Sequence, residues 1–200
     1  MPRPTRAERQ AATRSDILAV ARRRFLDQGY AATSLDDIAE EAGYSKGAVY
    51  SNFRDKPTLC RAVLESVHEE KLGEVVAIAE GDTTIEARLE VLEQWLERTV
   101  GDVGWTMLEL EFAVLSRRNP ELADMITNLH VGMHATVVET LGTVVGGTGD
   151  PAGPSLDAIA DMILATTIGL GVQRAVDPSV SIEPAITAIR GVAAALIPTG

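Results

Sequence analysis

The sequence has little cysteine and no long apolar run, and each shortage excludes a class of protein. Its one cysteine, Cys60, excludes an internal disulfide and suits a reducing cytoplasm. No unbroken apolar run approaches the roughly 20 residues that a membrane helix needs, and the N-terminus MPRPTRAERQ lacks the apolar stretch of a signal peptide. We therefore expect a soluble cytoplasmic protein with no membrane partner.

Motifs that carry enzyme chemistry are absent as well. The sequence has no GxSxG elbow, no lysine after a glycine-rich run, and no metal triad. His130 and His134 lie four residues apart and could share a metal, but no third ligand lies nearby in sequence. Two histidines on a solvated face are the usual explanation of this spacing. We therefore predict neither an enzyme nor a metal or cofactor site.

Positive charge is scarce overall but unevenly distributed. The chain carries a net charge of −11, yet residues 1–61 hold 11 Lys/Arg against 8 Asp/Glu, whereas residues 62–200 hold 7 against 21. An acidic body with a basic end would orient itself on a polyanion by its field. Ordinary solubility is the alternative. The basic residues concerned are Arg3, Arg6, Arg9, Arg14, Lys46, Arg54 and Lys56.

The stretch TSLDDIAEEAGYSKGAVYSNFRDK, residues 33–56, predicts two short helices joined by a tight turn. Ser34 and Asp37 have the spacing of a capping box, which marks the start of the first helix. Apolar residues then recur at helical spacing on one face: Leu35, Ile38, Ala39 and Ala42. Gly43 stands where a left-handed cap requires glycine.

The second of these helices is predicted from Lys46 to about Phe53, with Ser45 as its N-cap. Val49 and Phe53, four residues apart, would face inward and leave the other face exposed. At about 1.5 Å per residue such a helix is short enough to lie in a DNA major groove about 12 Å wide. The segment therefore indicates a helix-turn-helix.

The rest of the chain is also predicted to be helical, giving about nine helices and no strand. We expect residues 1–12 to be disordered and a first helix to run from the Thr13–Asp16 capping box to Gly29. Pro57 suits the first turn of a connecting helix that reaches about Ala79. Residues 146–154, GGTGDPAGP, are predicted to form a flexible loop before two apolar C-terminal helices.

The helix-turn-helix resembles the N-terminal DNA-binding domain of the TetR (tetracycline-repressor) family of transcriptional regulators. The resemblance covers about residues 14–60 without a gap. It implies an all-α fold with a helix-turn-helix domain at 13–56 and a helical effector-binding and dimerisation domain at 57–200. Its landmarks are Thr33, Ile38, Ala39, Ala42, Gly43, Ser45, Gly47, Tyr50, Phe53 and Lys56.

Candidate DNA contacts fall into two sets. Lys46 could donate to guanine O6 or N7, Gly47 would allow close approach, and Ala48 could touch a thymine methyl, with Ser51 one turn later. The resemblance implies phosphate contacts elsewhere, although Asn52 stands where the family often carries His or Tyr. The alternatives are plain capping for Thr33, a half-buried core tyrosine for Tyr50 and a solvated lysine for Lys56. The phosphate set is Thr33, Ser45, Tyr50, Asn52 and Lys56.

The resemblance also implies an effector pocket in the body of the protein. Glu109 could be its polar anchor, favouring a cationic or hydrogen-bonding effector, or it could lie at the helix surface. Residues of these types at these spacings are more often plain core. The candidate lining residues are Trp95, Trp105, Met107, Glu109, Phe112, Met125 and Met133.

The two C-terminal helices are apolar enough to form a dimer interface. The resemblance implies a four-helix bundle made of two helices from each chain. Core packing within one subunit is the alternative. The residues concerned are Leu156, Ile159, Ile163, Leu170, Ile186, Ile189, Val192 and Leu196.

Together these features predict a homodimeric regulator that binds double-stranded operator DNA. The resemblance favours a repressor released from its operator by an unknown small-molecule effector. Two alternatives remain: a regulator without a small-molecule effector, constitutive or switched by a partner, and, with less support, a metal-responsive regulator.

Overall fold

A computed structural model describes residues 5–144 and 155–196. These residues form helices and connecting turns without a strand, which confirms the predicted all-α fold class. The predicted loop at 146–154 lies outside the described residues. The helices of the described part are α1 (Arg6–Ala32), α2 (Leu35–Glu41), α3 (Lys46–Asn52), α4 (Lys56–Glu80), α5 (Ile85–Thr99), α6 (Val103–Ser116), α7 (Pro120–Val144), α8 (Leu156–Val176) and α9 (Glu183–Leu196).

The first helix begins earlier than predicted. Residues 6–12, expected to be disordered, belong to α1, and Thr5 is the N-cap in a reciprocal capping box with Glu8. Thr13 therefore lies inside the helix, where the amides that its side chain would cap are already bonded to the preceding turn. The helical geometry is interrupted at Gly29, which has φ +82°.

The chain divides into two compact units, and the first contains the helix-turn-helix. It comprises residues 1–67 together with 107–126, so its boundaries differ from the predicted division at residues 56 and 57. Part of α4 and most of α6 belong to it. Its buried side chains include Ile17, Ala21 and Phe25 of α1, Ile38 and Ala39 of α2, Val49 and Phe53 at α3, Leu59, Cys60 and Val63 of α4, and Leu108 and Phe112 of α6.

The second unit comprises residues 68–106 and 127–200. Its core is built on Leu96, Val100 and Ile182. The turn after α5 needs a glycine, because Gly101 has φ +91° and the Arg174 side chain fills the space that its Cβ would occupy. Arg174 itself is held by the Val180 carbonyl at 2.9 Å and by Glu97 at 3.2 Å.

Several residues predicted to form a dimer interface also pack inside the second unit. Leu170, Ile186 and Ile189 lie against its core cluster, and Ile159 is buried. They face inward because α8 and α9 must cover that core with part of their apolar surface. Leu156, Ile163 and Val192 are half-buried, and the Leu196 side chain lies outside the described residues.

The exposed positions of α8 nonetheless include several large apolar side chains, beside Asp157, Asp161 and Gln173. Met162, Ile168 and Val176 have 43%, 45% and 80% of their surface exposed. In length and composition, α8 is the one helix in the described residues that could cross a membrane, with 17% of its apolar window buried. An inspection for unbroken apolar runs misses it because Asp161 and Arg174 interrupt the run.

Candidate nucleic-acid interface

The turn between α2 and α3 is fixed by local hydrogen bonds that the sequence predicted. The Ser34 hydroxyl accepts the Asp37 amide at 3.1 Å, and the Asp37 carboxylate accepts the Ser34 amide at 3.2 Å. At the other end of α2, Gly43 has φ +72° and the Tyr44 amide returns to the Ala39 carbonyl at 2.9 Å. These bonds set the direction in which the chain enters α3.

Helix α3 is held against the rest of its unit by buried side chains. Ser45 caps it through the Ala48 amide at 3.2 Å, and Val49 and Phe53 are 0% and 1% exposed. Because these two residues define the inner face, positions 46, 47, 50 and 51 point outward. The orientation of α3 therefore matches the sequence prediction.

Arg14 of α1 fixes the far end of α3, a role that the sequence did not indicate. Its guanidinium lies 4.1 Å from the centroid of the Phe53 ring and donates to the Asn52 carbonyl at 2.7 Å. A cation at the C-terminus of a helix is favoured by the helix dipole, and it satisfies a carbonyl that has no partner within the helix. The sequence indicated Arg14 only as one of several basic residues that could contact the minor groove or attract DNA by diffuse charge.

The predicted base-contact residues lie on the outer face of α3. Lys46, Gly47 and Ser51 are exposed, and Ala48 is half-exposed. The Lys46 ammonium pairs with the Asp36 carboxylate of α2, and this hydrogen bond raises the pKa of Lys46. Asp36 thus orients the Lys46 side chain, a role for Asp36 that the sequence did not indicate.

Two of the predicted phosphate contacts have side chains that bond within the protein. Thr33 is 1% exposed, and its hydroxyl donates to the Gly29 carbonyl at 2.9 Å, so it closes the end of α1 and cannot reach a phosphate. The Asn52 side chain turns back on its own helix, where its amide donates to the Ala48 carbonyl at 2.8 Å. In both cases a nearby carbonyl captures a short polar side chain.

The other phosphate candidates are accessible. Tyr50 is 55% exposed, and Ser45 is exposed at the start of α3. The Lys56 ammonium lies 4.1 Å from the centroid of the Tyr30 ring and 3.5 Å from the Ala31 carbonyl, and partial burial lowers its pKa. Lys56 is thus an ordered cation at the first residue of α4 and not a freely solvated lysine.

Much of the remaining positive charge in this unit is paired with acids. Arg23 and Arg24 both bond Glu41, and Arg61 bonds Glu65 at 2.6 Å. Arg54 bonds Asp55 at 2.8 Å and Glu121 at 3.0 Å. Fewer unpaired positive charges are therefore available to DNA than the count of basic residues suggested.

The predicted effector residues are divided between the two units. Met107, Glu109, Phe112 and Met125 belong to the first unit, and Trp95, Trp105 and Met133 to the second. Phe112 is fully buried with its ring centroid 6.0 Å from that of Tyr30, so it packs in the core of the first unit. Met107 has 40% of its surface exposed.

Two tryptophans of the second unit have polar or aromatic partners. The Trp95 indole donates to Glu74 at 2.6 Å. Trp105 lies edge-on to His68 with ring centroids 5.8 Å apart, and its buried indole nitrogen has no hydrogen-bond partner among the described residues. A buried donor of this kind favours a partner that accepts a hydrogen bond.

The two histidines considered as metal ligands differ in their surroundings. His130 is exposed, whereas His134 lies 3.3 Å from the Asp161 carboxylate and 3.4 Å from the Asp157 carbonyl. Within residues 5–144 and 155–196, no group of three or more His, Cys, Asp or Glu side chains could hold a metal ion.

The fold and this surface define a helix-turn-helix DNA-binding protein. Comparison with known proteins agrees: residues 17–63 match the family described as bacterial regulatory proteins, tetR family, and residues 85–198 match the C-terminal domain of BetI-type transcriptional repressors. The chain belongs to the TetR family of transcriptional regulators. It is accordingly a DNA-binding regulator and not an enzyme.

Individual relatives resemble different parts of the chain. The HTH-type transcriptional regulator TtgR of Pseudomonas putida is 46% identical over 69 residues, which cover 34% of this chain and 32% of TtgR. The chain thus spans about a third of the length of the first curated relatives it matches. A transcriptional regulator from Saccharomonospora viridis in complex with choline has a TM-score of 0.68 at 21% identity, covering 90% of this chain and 95% of its own. The SmeT–triclosan complex has a TM-score of 0.69 at 22% identity, covering 94% and 93%.

Proposed function

We propose that the protein is a cytoplasmic homodimeric repressor that binds an operator through α3 and is released by a small-molecule effector. The observation that carries the DNA-binding part is the division of α3 into two faces. Val49 and Phe53 are buried, while Lys46, Gly47 and Ser51 are exposed over the turn that enters a major groove. Phosphate contacts from Ser45, Tyr50 and Lys56 would set the register, and base contacts would set the sequence read.

The dimer is supported by the exposed apolar face of α8. Met162 and Ile168 are both exposed on α8, and a small groove between α8 and α9 is lined by Met162, Ile163, Thr166, Thr167, Ala185, Ala188 and Ile189. An exposed apolar surface of this kind is typical of an interface. Two copies would also place two reading helices on one operator, as a short recognition helix requires.

Effector release is supported by the second family match and by the ligands of related folds. Choline and triclosan are bound by proteins that share this fold. An effector acts through different affinities for the DNA-competent and DNA-incompetent states. A thermal-shift screen of small molecules, followed by release assays on bound operator, tests this part. A compound that raises the melting temperature without releasing DNA would contradict it.

DNA selection tests the central proposal. The purified protein should enrich one motif from a random duplex library at modest ionic strength, and its absence would contradict the proposed role. Lys46→Ala should then relax the preference at one base pair, with roughly tenfold weaker binding to the selected operator and little change on scrambled DNA. Equal losses on both duplexes would remove Lys46 from the base-reading set.

A further inference from the structure

Segment 29–32, at the end of α1, combines a backbone break with an aromatic ring and an ordered lysine. The break is at Gly29, where φ is +82°. The next residue, Tyr30, places its ring centroid 5.8 Å from that of Phe25 and under the ammonium of Lys56. The Ala31 carbonyl accepts from the same ammonium at 3.5 Å. Both groups that contact the Lys56 ammonium, the Tyr30 ring and the Ala31 carbonyl, therefore come from one short segment of the chain.

Glu111 of α6 holds this stretch in place. Because Gly29 interrupts the helical geometry, the amides that follow need partners from outside the helix, and the Ala31 amide donates to the Glu111 carboxylate at 3.1 Å. The other carboxylate oxygen would lie 2.7 Å from a Cβ at Gly29, so a side chain there would displace the Glu111 carboxylate, and the φ of +82° also favours glycine. Phe112, the next residue of α6, contacts the edge of Tyr30.

The chain of contacts leads from α6 to a lysine that we assign to a DNA phosphate. A lysine already ordered over a ring loses less side-chain freedom when it binds a phosphate than a solvated lysine does. Partial burial also strengthens its interaction with an anion. We infer that Glu111, a residue outside the helix-turn-helix, is a positioning residue for DNA binding, which fixes segment 29–32 so that Lys56 is presented to a phosphate.

The inference rests on the proposed DNA-binding function and predicts coupling between two residues. Lys56→Ala should make the negative slope of log K against log salt shallower by about one. It should also weaken operator binding about five- to tenfold at 0.1 M salt. Glu111→Ala should also make this slope shallower, although it removes a negative charge from the protein. The double variant should bind no more than about twofold worse than Lys56→Ala alone, because Glu111 acts through Lys56.

Matched variants separate positioning from charge. Asp124→Ala removes an exposed carboxylate from the same unit and should leave the salt slope unchanged. Glu111→Gln keeps an oxygen that can accept the Ala31 amide, so it should restore the slope to that of the unmodified protein. Tyr30→Leu keeps apolar volume against Phe25 but removes the π face under Lys56. It should make the salt slope shallower as well, and it replaces Glu111→Ala in the measurement if Glu111→Ala does not fold.

The full-length protein, its selected operator and a salt titration of binding suffice for the measurement. Coupled effects of Glu111→Ala and Lys56→Ala, with rescue by Glu111→Gln, support the inference. Multiplicative effects, or an unchanged slope in Glu111→Ala and in Tyr30→Leu, overturn it while leaving operator binding by the unmodified protein intact. A protein that selects no DNA sequence at all overturns the proposed function instead.

Discussion

Gly47 on α3 has two properties that one substitution can separate. Within the protein a Cβ at this position would meet only the Ser45 hydroxyl, at an ordinary 3.8 Å, so the fold tolerates alanine. Against DNA the same methyl group would keep the backbone from close approach to a base pair.

We therefore expect Gly47→Ala to weaken operator binding at least tenfold while leaving the melting temperature unchanged or slightly raised, since alanine favours a helix by up to about 1 kcal/mol over glycine. Circular dichroism melting and operator titration measure the two effects. Gly73→Ala in α4 is the matched control, because nothing lies within 4 Å of its added Cβ. Operator binding by Gly47→Ala equal to that of the unmodified protein would mean that DNA does not approach this residue.

Single residues also show where sequence reasoning stopped. The exposed face of α3 could be predicted because Val49 and Phe53, four residues apart, fix its inner face. That Lys46 pairs with Asp36, or that Thr33 is buried under the end of α1, could not be predicted, because both depend on how one helix lies across another.

At the scale of elements, α1 and α2 are joined by a charged contact at the end of α2. Glu41 accepts hydrogen bonds from Arg23 and Arg24, and these bonds lower its pKa from the ordinary value of 4.5. A carboxyl group whose pKa is lower in the folded state stabilises the fold above the unfolded-state pKa, and that contribution is lost as the pH falls through the folded-state value.

Glu41→Gln should accordingly lower the melting temperature at pH 7 by a few degrees at most, as expected for a partly exposed ion pair. The difference from the unmodified protein should shrink as the pH falls below about 4.5 and vanish once Glu41 is protonated. Thermal melts of both proteins across this range provide the measurement. Glu40→Gln, a neighbouring exposed acid of α2, is the control, and an equal effect in that variant would contradict a specific role for Glu41.

The start of α1 shows why a local motif does not always mark an element boundary. Thr5–Glu8 and Thr13–Asp16 have the same spacing of a hydroxyl and an acid, but only the second was predicted to start a helix, because residues 1–12 show no periodicity. The structure uses the first, with the Glu8 amide 3.2 Å from the Thr5 hydroxyl. A capping box forms only at a residue whose own backbone is not helical. Thr5 has an extended backbone, whereas Thr13 lies inside α1.

At the scale of the whole molecule, the exposed apolar face of α8 is the feature that the proposed dimer explains. Ile168→Lys places a charge in the middle of that face, and a buried unpaired ammonium opposes association. We expect this variant to sediment as a monomer. Its operator affinity should fall at least tenfold, because two linked reading heads bind cooperatively and a single head does not.

Val131→Lys on α7 is the control, since Val131 is also apolar and 62% exposed. It should keep the oligomeric state and operator affinity of the unmodified protein. Sedimentation velocity of both variants distinguishes the outcomes, and a dimeric Ile168→Lys protein would exclude this face of α8 as the interface.

The sequence by itself determined the helical fold class, the turn at Gly43 and the exposed face of α3, because caps, glycine and apolar spacing act over a few residues. Only the tertiary structure decided which polar groups meet. Ala31 and Glu111 are 80 residues apart in the chain, Arg14 and Asn52 are 38 apart, and some residues predicted for the dimer surface also pack against the core of the second unit. Contacts over such separations depend on how helices pack, and local pattern does not carry that information.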